Sequence, residues 1–247
     1  MNTEPIPPCE FLPWDTEFFG HRIGRVHGDT LNDELASSID KWAADNSVQT
    51  LYFLARSNDP TTTRTAESHG YSLNDIRMTF ERTIRPEDPG LLGADSEVPI
   101  RAVLPEDVGG LQEMARKGHD RTRFANDPHF SRERVQAFYA TWITLECQGR
   151  AQHVLVASGK GGPMGYISCH LSANGVGQIG LVGVSEKFRG NGIGFKLVRA
   201  ALSWFGSHGA RQVIVVTQGN NKGAQRLYQK CGFVTQDVQF WYHKWFS

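Results

Sequence analysis

The sequence predicts an α/β protein built in two halves, and three observations lead there. Up to Ile84, short apolar runs alternate with stretches of helical periodicity in the order strand, helix, strand, helix, strand. Arg85 to Val98, rich in Pro, Gly and acidic residues, reads as a linker, which places the expected domains at residues 1–95 and 96–247. In the second half, Arg211-Gln-Val-Ile-Val-Val-Thr217 is apolar at consecutive positions, as expected of a parallel central strand buried on both faces.

The elements follow from local pattern. Ile23 and Val26 mark a short strand behind an aromatic turn, Trp14 to Gly20. Leu31 to Ala44 carries Leu35, Ile39, Trp42 and Ala43 on one helical face. Gln49 to Ala55 is a strand-length run, Thr63 to His69 is a short helix closed by Gly70, and Tyr71 to Ile84 alternates as a strand. Beyond the linker, Ile100 to Val103 is a strand. Pro105-Glu106-Asp107 suits the first turn of a helix that runs to about Lys117. Gly118 to His129 is a polar loop, after which Ser131 caps a helix carrying Val135, Phe138, Tyr139, Trp142 and Ile143. Gln152–Ser158 and Met164–Leu171 form a hairpin across Gly159-Lys-Gly-Gly-Pro163.

Ile179 to Val184 is a buried strand, followed by a glycine-rich turn and a helix with Ile193, Leu197, Ala201, Leu202 and Phe205 at helical spacing. Asn220-Asn221 opens a last helix with Ala224, Leu227, Tyr228 and Cys231 on one face, and Gly232 ends it. Phe233 to Trp245 is an aromatic final strand that could pair across a homodimer or lie within one monomer. The stretch Gly70 to Phe80 echoes Gly232 to Tyr242: each sets an Asp five residues after a helix-ending glycine. Either the halves are structural relatives or two amphipathic strands are alike by chance.

Composition narrows the function. Lys plus Arg and Asp plus Glu both number 26, a formal net charge of zero, so no broad basic field exists for nucleic acid or a membrane surface. Cys9, Cys147, Cys169 and Cys231 lack metal-ligand spacing, so no metal is expected; the last three lie in apolar segments, where buried free thiols are the default. Met-Asn-Thr-Glu-Pro-Ile-Pro-Pro has no basic stretch followed by an apolar one, and no run of about 18 apolar residues occurs, which suggests a cytoplasmic protein.

The chemistry centres on Arg189-Gly190-Asn191-Gly192-Ile193-Gly194. A strand that feeds a helix through such a turn points several backbone N–H groups at one place, at the positive end of the helix dipole. That place suits a pyrophosphate. Arg189 adds a positive charge at the rim. The turn lacks the Lys-Ser/Thr of a P-loop and the G-x-G-x-x-G spacing of a dinucleotide fold. A tight turn with no ligand is the plainer reading of the loop taken alone.

The pattern Arg-x-x-Gly-x-Gly resembles the acetyl-CoA loop of the GNAT N-acetyltransferase superfamily, and Asn221-Lys-Gly-Ala224-Gln-Arg-Leu-Tyr228-Gln-Lys-Cys-Gly232-Phe233 extends the resemblance over roughly residues 99–247. It implies a mixed, largely antiparallel sheet with a V-shaped splay, flanked by helices and preceded by a smaller, degenerate half of the same kind. It implies that acetyl-CoA lies in the V, against the backbone of Val182, Gly183 and Val184, with its pyrophosphate on Arg189, Gly190, Asn191, Gly192, Ile193 and Gly194. Asn221 and Ala224 would touch the cofactor arm, and Tyr228 would act as general acid toward the thioester sulfur. Spacing alone equally allows Tyr228 as the aromatic member of a helix core stripe. For the base, Glu186, His119, Asp120, His129 and His170 are candidates, none of them assigned.

Features in both halves look like the TDP-fucosamine acetyltransferase family: Trp14-Asp-Thr-Glu-Phe-Phe-Gly20, Arg121-Thr-Arg-Phe124, Phe138-Tyr-Ala-Thr-Trp-Ile143, Val216-Thr-Gln-Gly-Asn220 and Trp241-Tyr242. This implies a dTDP-linked amino-sugar acceptor. Arg121 and Arg123 would supply guanidinium groups for its diphosphate and Phe124 an aromatic face. Another primary amine as acceptor, or a fold that binds CoA without turnover, are the alternatives.

Overall fold

The computed structural model describes residues 7–85 and 98–246. Residues 86–97 of the expected linker, and the N-terminal stretch 1–6, lie outside the described residues. Two compact units emerge. One runs to Arg77 and resumes at Val238; the other is Met78–Asp237. The chain passes between them inside two strands, β4 (Ser72–Thr83) and β10 (Val234–Trp245), so the compact units and the two sequence halves are different partitions.

The first unit holds β1 (Cys9–Phe11), α1 (Pro13–Phe19), β2 (Ile23–Val26), α2 (Asp33–Asp45), β3 (Thr50–Arg56) and α3 (Pro60–Ser68), with one end each of β4 and β10. β2 runs parallel to β3, and β3 pairs antiparallel with β10 from Arg56↔Gln239 to Thr50↔Trp245. The expected aromatic turn is instead α1. Pro13 starts it, where a missing N–H loses no bond, and Gly20 at φ 78° closes it. α3 begins earlier than expected because Asp59 caps it, accepting from Thr61 N–H at 3.0 Å. Leu51, Phe53 and Ala55 of β3 pack with Ile39 and Ala43 of α2, Tyr71 and Tyr242.

The second unit adds β5 (Ile100–Ala102), a 3-10 turn (Pro105–Asp107), α4 (Val108–Gly118), α5 (Arg123–Asn126) and α6 (Arg132–Leu145), which runs on into a π-type turn (Glu146–Arg150). Then follow β6 (His153–Gly159), β7 (Gly162–Leu171), β8 (Val176–Val184), α7 (Ile193–Ser207), β9 (Gln212–Gln218) and α8 (Lys222–Lys230). Its strands lie in the order β4-β9-β8-β7-β6-β5, antiparallel from β5 to β8 and parallel between β8 and β9. α7 buries Ile193, Leu197, Val198, Ala201, Leu202 and Phe205 in a core with Ile167, Cys169, Ile179, Val213 and Val215. Full burial of such a large apolar side chain is worth about 1.5–3 kcal/mol, so the helix below the glycine turn is firmly held.

β9 departs from its expectation. Val213, Val215 and Thr217 are buried, but Ile214 and Val216 are only half-buried, because the core with α7 covers one face of the strand. The expected polar loop contains the short helix α5. Cys9, Cys169 and Cys231 are buried free thiols, whereas Cys147 is only partly buried. Among the described residues, no helix is long and apolar enough to cross a membrane.

The echo between Gly70 and Gly232 belongs to a longer repeat. β3, α3 and β4 match β9, α8 and β10 in length, with 7, 9 and 12 residues in each set, and in the length of their connections. Both helices start at a side-chain cap, Asp59 or Asn221, and both end before a glycine in the left-handed region, at φ 79° and 81°. The last strand of each set lies beside the first strand of the other: β10 beside β3, and β4 beside β9.

Candidate functional site

β8 and β9 are paired from Val176↔Gln212 to Ile179↔Val215. Past that point both strands continue, β8 to Val184 and β9 to Gln218, with no further pair between them among the described residues. The strands therefore part, and Val182, Gly183 and Val184 line one side of the opening. The sequence could suggest this splay only through resemblance, since pairing is not a local property.

β8 leads through a 3-10 turn (Glu186–Phe188) to Arg189 and the glycine turn. Gly190 at φ 82° and Gly192 at φ 75° occupy the left-handed region, and Gly192 is the N-cap of α7. Arg189 Nε reaches back to the carbonyl of Val184 at 3.4 Å and Nη1 lies 3.6 Å from Glu186, with the guanidinium exposed at the rim. A Cβ at Gly194 would sit 3.1 Å from Leu227 Cδ2 and 3.7 Å from Val184 Cγ2. The end of β8, the first turn of α7 and the middle of α8 thus converge on this glycine. α7 carries Lys196 and Arg199 and no acidic residue, so nothing on it opposes an anion at its N-terminus.

Tyr228, next to Leu227, is 4% exposed, its ring between Phe80 (centroids 6.0 Å apart) and Phe233 (5.9 Å). Burial raises its hydroxyl above the ordinary phenol value, so it remains a proton donor at neutral pH. The core role weighed from the sequence is thus real. Asn221 Oδ1 accepts from Ala224 N–H at 3.2 Å; the two residues expected at the cofactor arm form the cap of α8.

The stretch from Arg121 to Phe124, expected to meet the acceptor, is built differently from expectation. Arg121 is exposed, and Arg123 lays its guanidinium 4.3 Å over the ring of Phe124. Phe124 is 2% exposed, packed on Phe130 and Phe138 with centroids 5.3 and 4.9 Å away. Its ring therefore has no open face for a ligand, because α6 and the loop enclose it.

The structure brings forward residues that the sequence left unassigned. Tyr166, Ser168 and His170 alternate along β7 on one face of the strand. A Cβ at Gly183 would clash with the ring of Tyr166, so the phenol lies directly behind the open part of β8. His119 stacks on Tyr139 (4.2 Å, 13° between planes) and its Nε2 is 3.4 Å from the Tyr166 hydroxyl. Burial lowers His119 to about 4, so its imidazole is neutral at physiological pH. The other base candidates have other partners: His129 with Asp127 at 2.9 Å, His170 with Glu146 at 2.6 Å and Glu186 with Arg189. Asp120 is exposed. The period-two polar residues in an otherwise apolar strand were the signal available in the sequence.

Residues 119–233 match the acetyltransferase (GNAT) family. The chain is 30% identical over 141 residues to the spore coat polysaccharide biosynthesis protein SpsD of Bacillus subtilis, covering 57% of this chain and 48% of that protein. It is 26% identical over 140 residues to the dTDP-fucosamine acetyltransferase of Escherichia coli, covering 56% and 59%. The chain thus spans about half the length of these curated relatives. In fold it resembles the GCN5-related N-acetyltransferase from Sphaerobacter thermophilus, with a TM-score of 0.68 at 21% identity over 96% of this chain and 76% of that one.

Proposed function

We propose that the chain, whose residues 119–233 match the acetyltransferase (GNAT) family, transfers an acetyl group from acetyl-CoA to the amine of a nucleotide-linked sugar, of the dTDP-4-amino-4,6-dideoxy-hexose type. One observation carries the cofactor assignment: β8 and β9 part at Ile179↔Val215 just before a glycine turn that opens α7. The pantetheine amides would pair with the free backbone edge of Val182, Gly183 and Val184. The pyrophosphate would take the N–H groups of Gly190 to Gly194, with Arg189 at the rim. The Asn221 side-chain amide and Ala224 would flank the arm.

The amine attacks the thioester carbonyl, a C–N bond forms and the C–S bond breaks. The departing thiolate takes its proton from Tyr228, which burial keeps protonated. The amine proton leaves toward water or His119, whose neutral imidazole can accept it. The sugar acceptor is supported by the relatives, one named for dTDP-fucosamine and one for spore coat polysaccharide. Arg121 and Arg123 supply cations suited to its diphosphate. Thiol release from acetyl-CoA, screened with dTDP-4-amino sugars, spermidine, an aminoglycoside and peptides, tests the reading. Release with the nucleotide sugars alone is expected. Release with another amine alone would replace the acceptor, and CoA binding without release to any acceptor would remove the enzymatic reading.

A further inference from the structure

The reaction above hands the amine proton to water or to His119. Burial holds His119 at about 4, and a base that weak draws a proton from an amine poorly at neutral pH. A second imidazole stands where the strands part. A Cβ at Gly165 would lie 3.0 Å from Leu197 and 3.2 Å from Ile193, so that face of β7 meets α7, and His170 stands on the other face with Tyr166. On β8 the residues beneath these two rings are glycines. A Cβ at Gly183 would clash with Tyr166, and one at Gly180 would lie 3.0 Å from His170 Nε2. Gly180 is the first residue of β8 past its last pair with β9, Ile179↔Val215. Both rings therefore lie over β8, whose far edge is the opening. Tyr166 is fully buried, but the His170 side chain is 28% exposed and borders a cavity of about 380 Å³ that Gln178 and Ile214 also line.

A buried carboxylate holds this imidazole. Glu146, 1% exposed, accepts from His170 Nε2 at 2.6 Å and from Trp142 Nε1 at 3.0 Å. Burial pushes this carboxyl up, but the opposing contacts, led by the hydrogen bond from His170, hold it below its ordinary value, so it is ionised at neutral pH. A carboxylate can only accept, so the ring proton sits on Nε2 and the lone pair on Nδ1. Nδ1 has no hydrogen-bond partner among the described residues. The other ionisable groups around the pair are Arg150, 4.0 Å from the carboxylate, and Cys147 and Cys169, whose thiols burial pushes up to about 11 and about 12. Neither thiol is therefore a base at neutral pH. A carboxylate behind an imidazole orients the ring and stabilises the imidazolium it becomes. Stability alone is a weak reason for such a charge, since an apolar core of the same volume is often as stable.

We propose that His170, oriented by Glu146, is the base that takes the proton of the attacking amine. The inference rests on the function proposed above: with the pyrophosphate on Gly190 to Gly194 and the arm along Val184 to Val182, the thioester end points toward Gly180 and the imidazole over it. As the C–N bond forms, the amine proton passes to the lone pair of Nδ1, and the imidazolium later gives it to water. Tyr228 protonates the thiolate and regains its proton from water, so the protons balance. His170 is catalytic in this scheme, and Glu146 is a positioning residue. His170→Ala, Glu146→Gln and the double variant test it, with acetyl-CoA and the dTDP-4-amino sugar, or the amine of the screen that replaces it, as probes. His170→Ala is expected to lower kcat about a hundredfold or more and to leave the acetyl-CoA dissociation constant within about twofold. Added imidazoles should restore its turnover, the more basic ones faster. Glu146→Gln should lower kcat about tenfold with acceptor KM little changed. The double variant should be no slower than His170→Ala, because Glu146 acts only through the imidazole. Unchanged turnover in either single variant would overturn the inference, as would rescue that is absent or independent of basicity, or losses that multiply in the double variant. If Glu146→Gln does not fold, His170→Ala and its rescue decide. If the unmodified chain turns over no amine of the screen, the proposed function itself falls, and this inference with it.

Discussion

Tyr228 meets two demands at once: its ring fills the core between Phe80 and Phe233, and its hydroxyl is kept protonated by burial. Tyr228→Phe keeps the ring and removes only the hydroxyl. Stopped-time assays should therefore show kcat lowered roughly tenfold or more, with the acetyl-CoA dissociation constant and the melting temperature nearly unchanged. Equal turnover would take the residue out of the reaction. Because the hydroxyl titrates above the ordinary phenol value, its ionisation should put no falling limb into the kcat profile below about pH 10. At this scale the sequence was legible where a motif fixed a residue and illegible where packing did. Tyr228 stood out through the resemblance of the stretch Asn221 to Phe233, its spacing alone allowing a core role as well, but nothing local revealed that Phe124 would be enclosed by α6. Glu146 could be read only as the residue four places after Trp142, and its pairing with His170 crosses elements.

Elements were legible in so far as caps and apolar period define them, and two predictions belong here. Gly192 caps α7 at φ 75°, a conformation that costs an L-residue about 1–2 kcal/mol. Gly192→Ala should raise the acetyl-CoA dissociation constant tenfold or more in calorimetry, while the buried face of α7 keeps the unit folded; unchanged binding would show that the turn does not hold the coenzyme. The start of α4 depends on charge. Asp107 accepts from Arg101 on β5 at 2.6 and 3.0 Å and from the N–H of Leu104 at 2.8 Å, and it is 3% exposed. The Arg101 hydrogen bond, foremost, holds the Asp107 carboxyl below the usual carboxylate value despite burial. A depressed folded pKa gives stability that is fully present above the unfolded value of about 3.9 and is lost as pH falls through the folded value. Asp107→Asn should thus lower stability by about 2 kcal/mol at pH 7, and the gap between its melting curve and that of the unmodified chain should narrow below about pH 4. A gap constant with pH would assign the loss to packing. Acidic first-turn residues were readable in Pro105-Glu106-Asp107, but the Arg101 partner and the half-open face of β9 depend on which strands become neighbours.

For the molecule as a whole, the decisive feature is that the repeated sets exchange their last strands. Composition could mark a Pro- and Gly-rich stretch near Arg85 as a boundary, yet it could not show that the residues after Asp237 complete the first unit. The echo between Gly70 and Gly232 was the one trace of the repeat noted in the sequence, and it was short because the side chains of the two sets differ while the element lengths agree. The exchange makes a prediction about stability. Gln239 to Trp245 pair with β3 along its whole length, Ser57 Oγ donates to the carbonyl of Val238, and Tyr242 is buried in the first unit's core. A chain ended after Asp237 deprives β3 of that antiparallel neighbour and exposes Leu51, Phe53 and Ala55 to water, while every strand from β5 to β9 keeps its partners. Limited proteolysis read by mass spectrometry should then find rapid cleavage before Arg77 and protection across β5 to β9. Cleavage spread evenly over both units would mean that the first unit is not held by this strand, and that the division of the chain at β4 and β10 has no energetic counterpart.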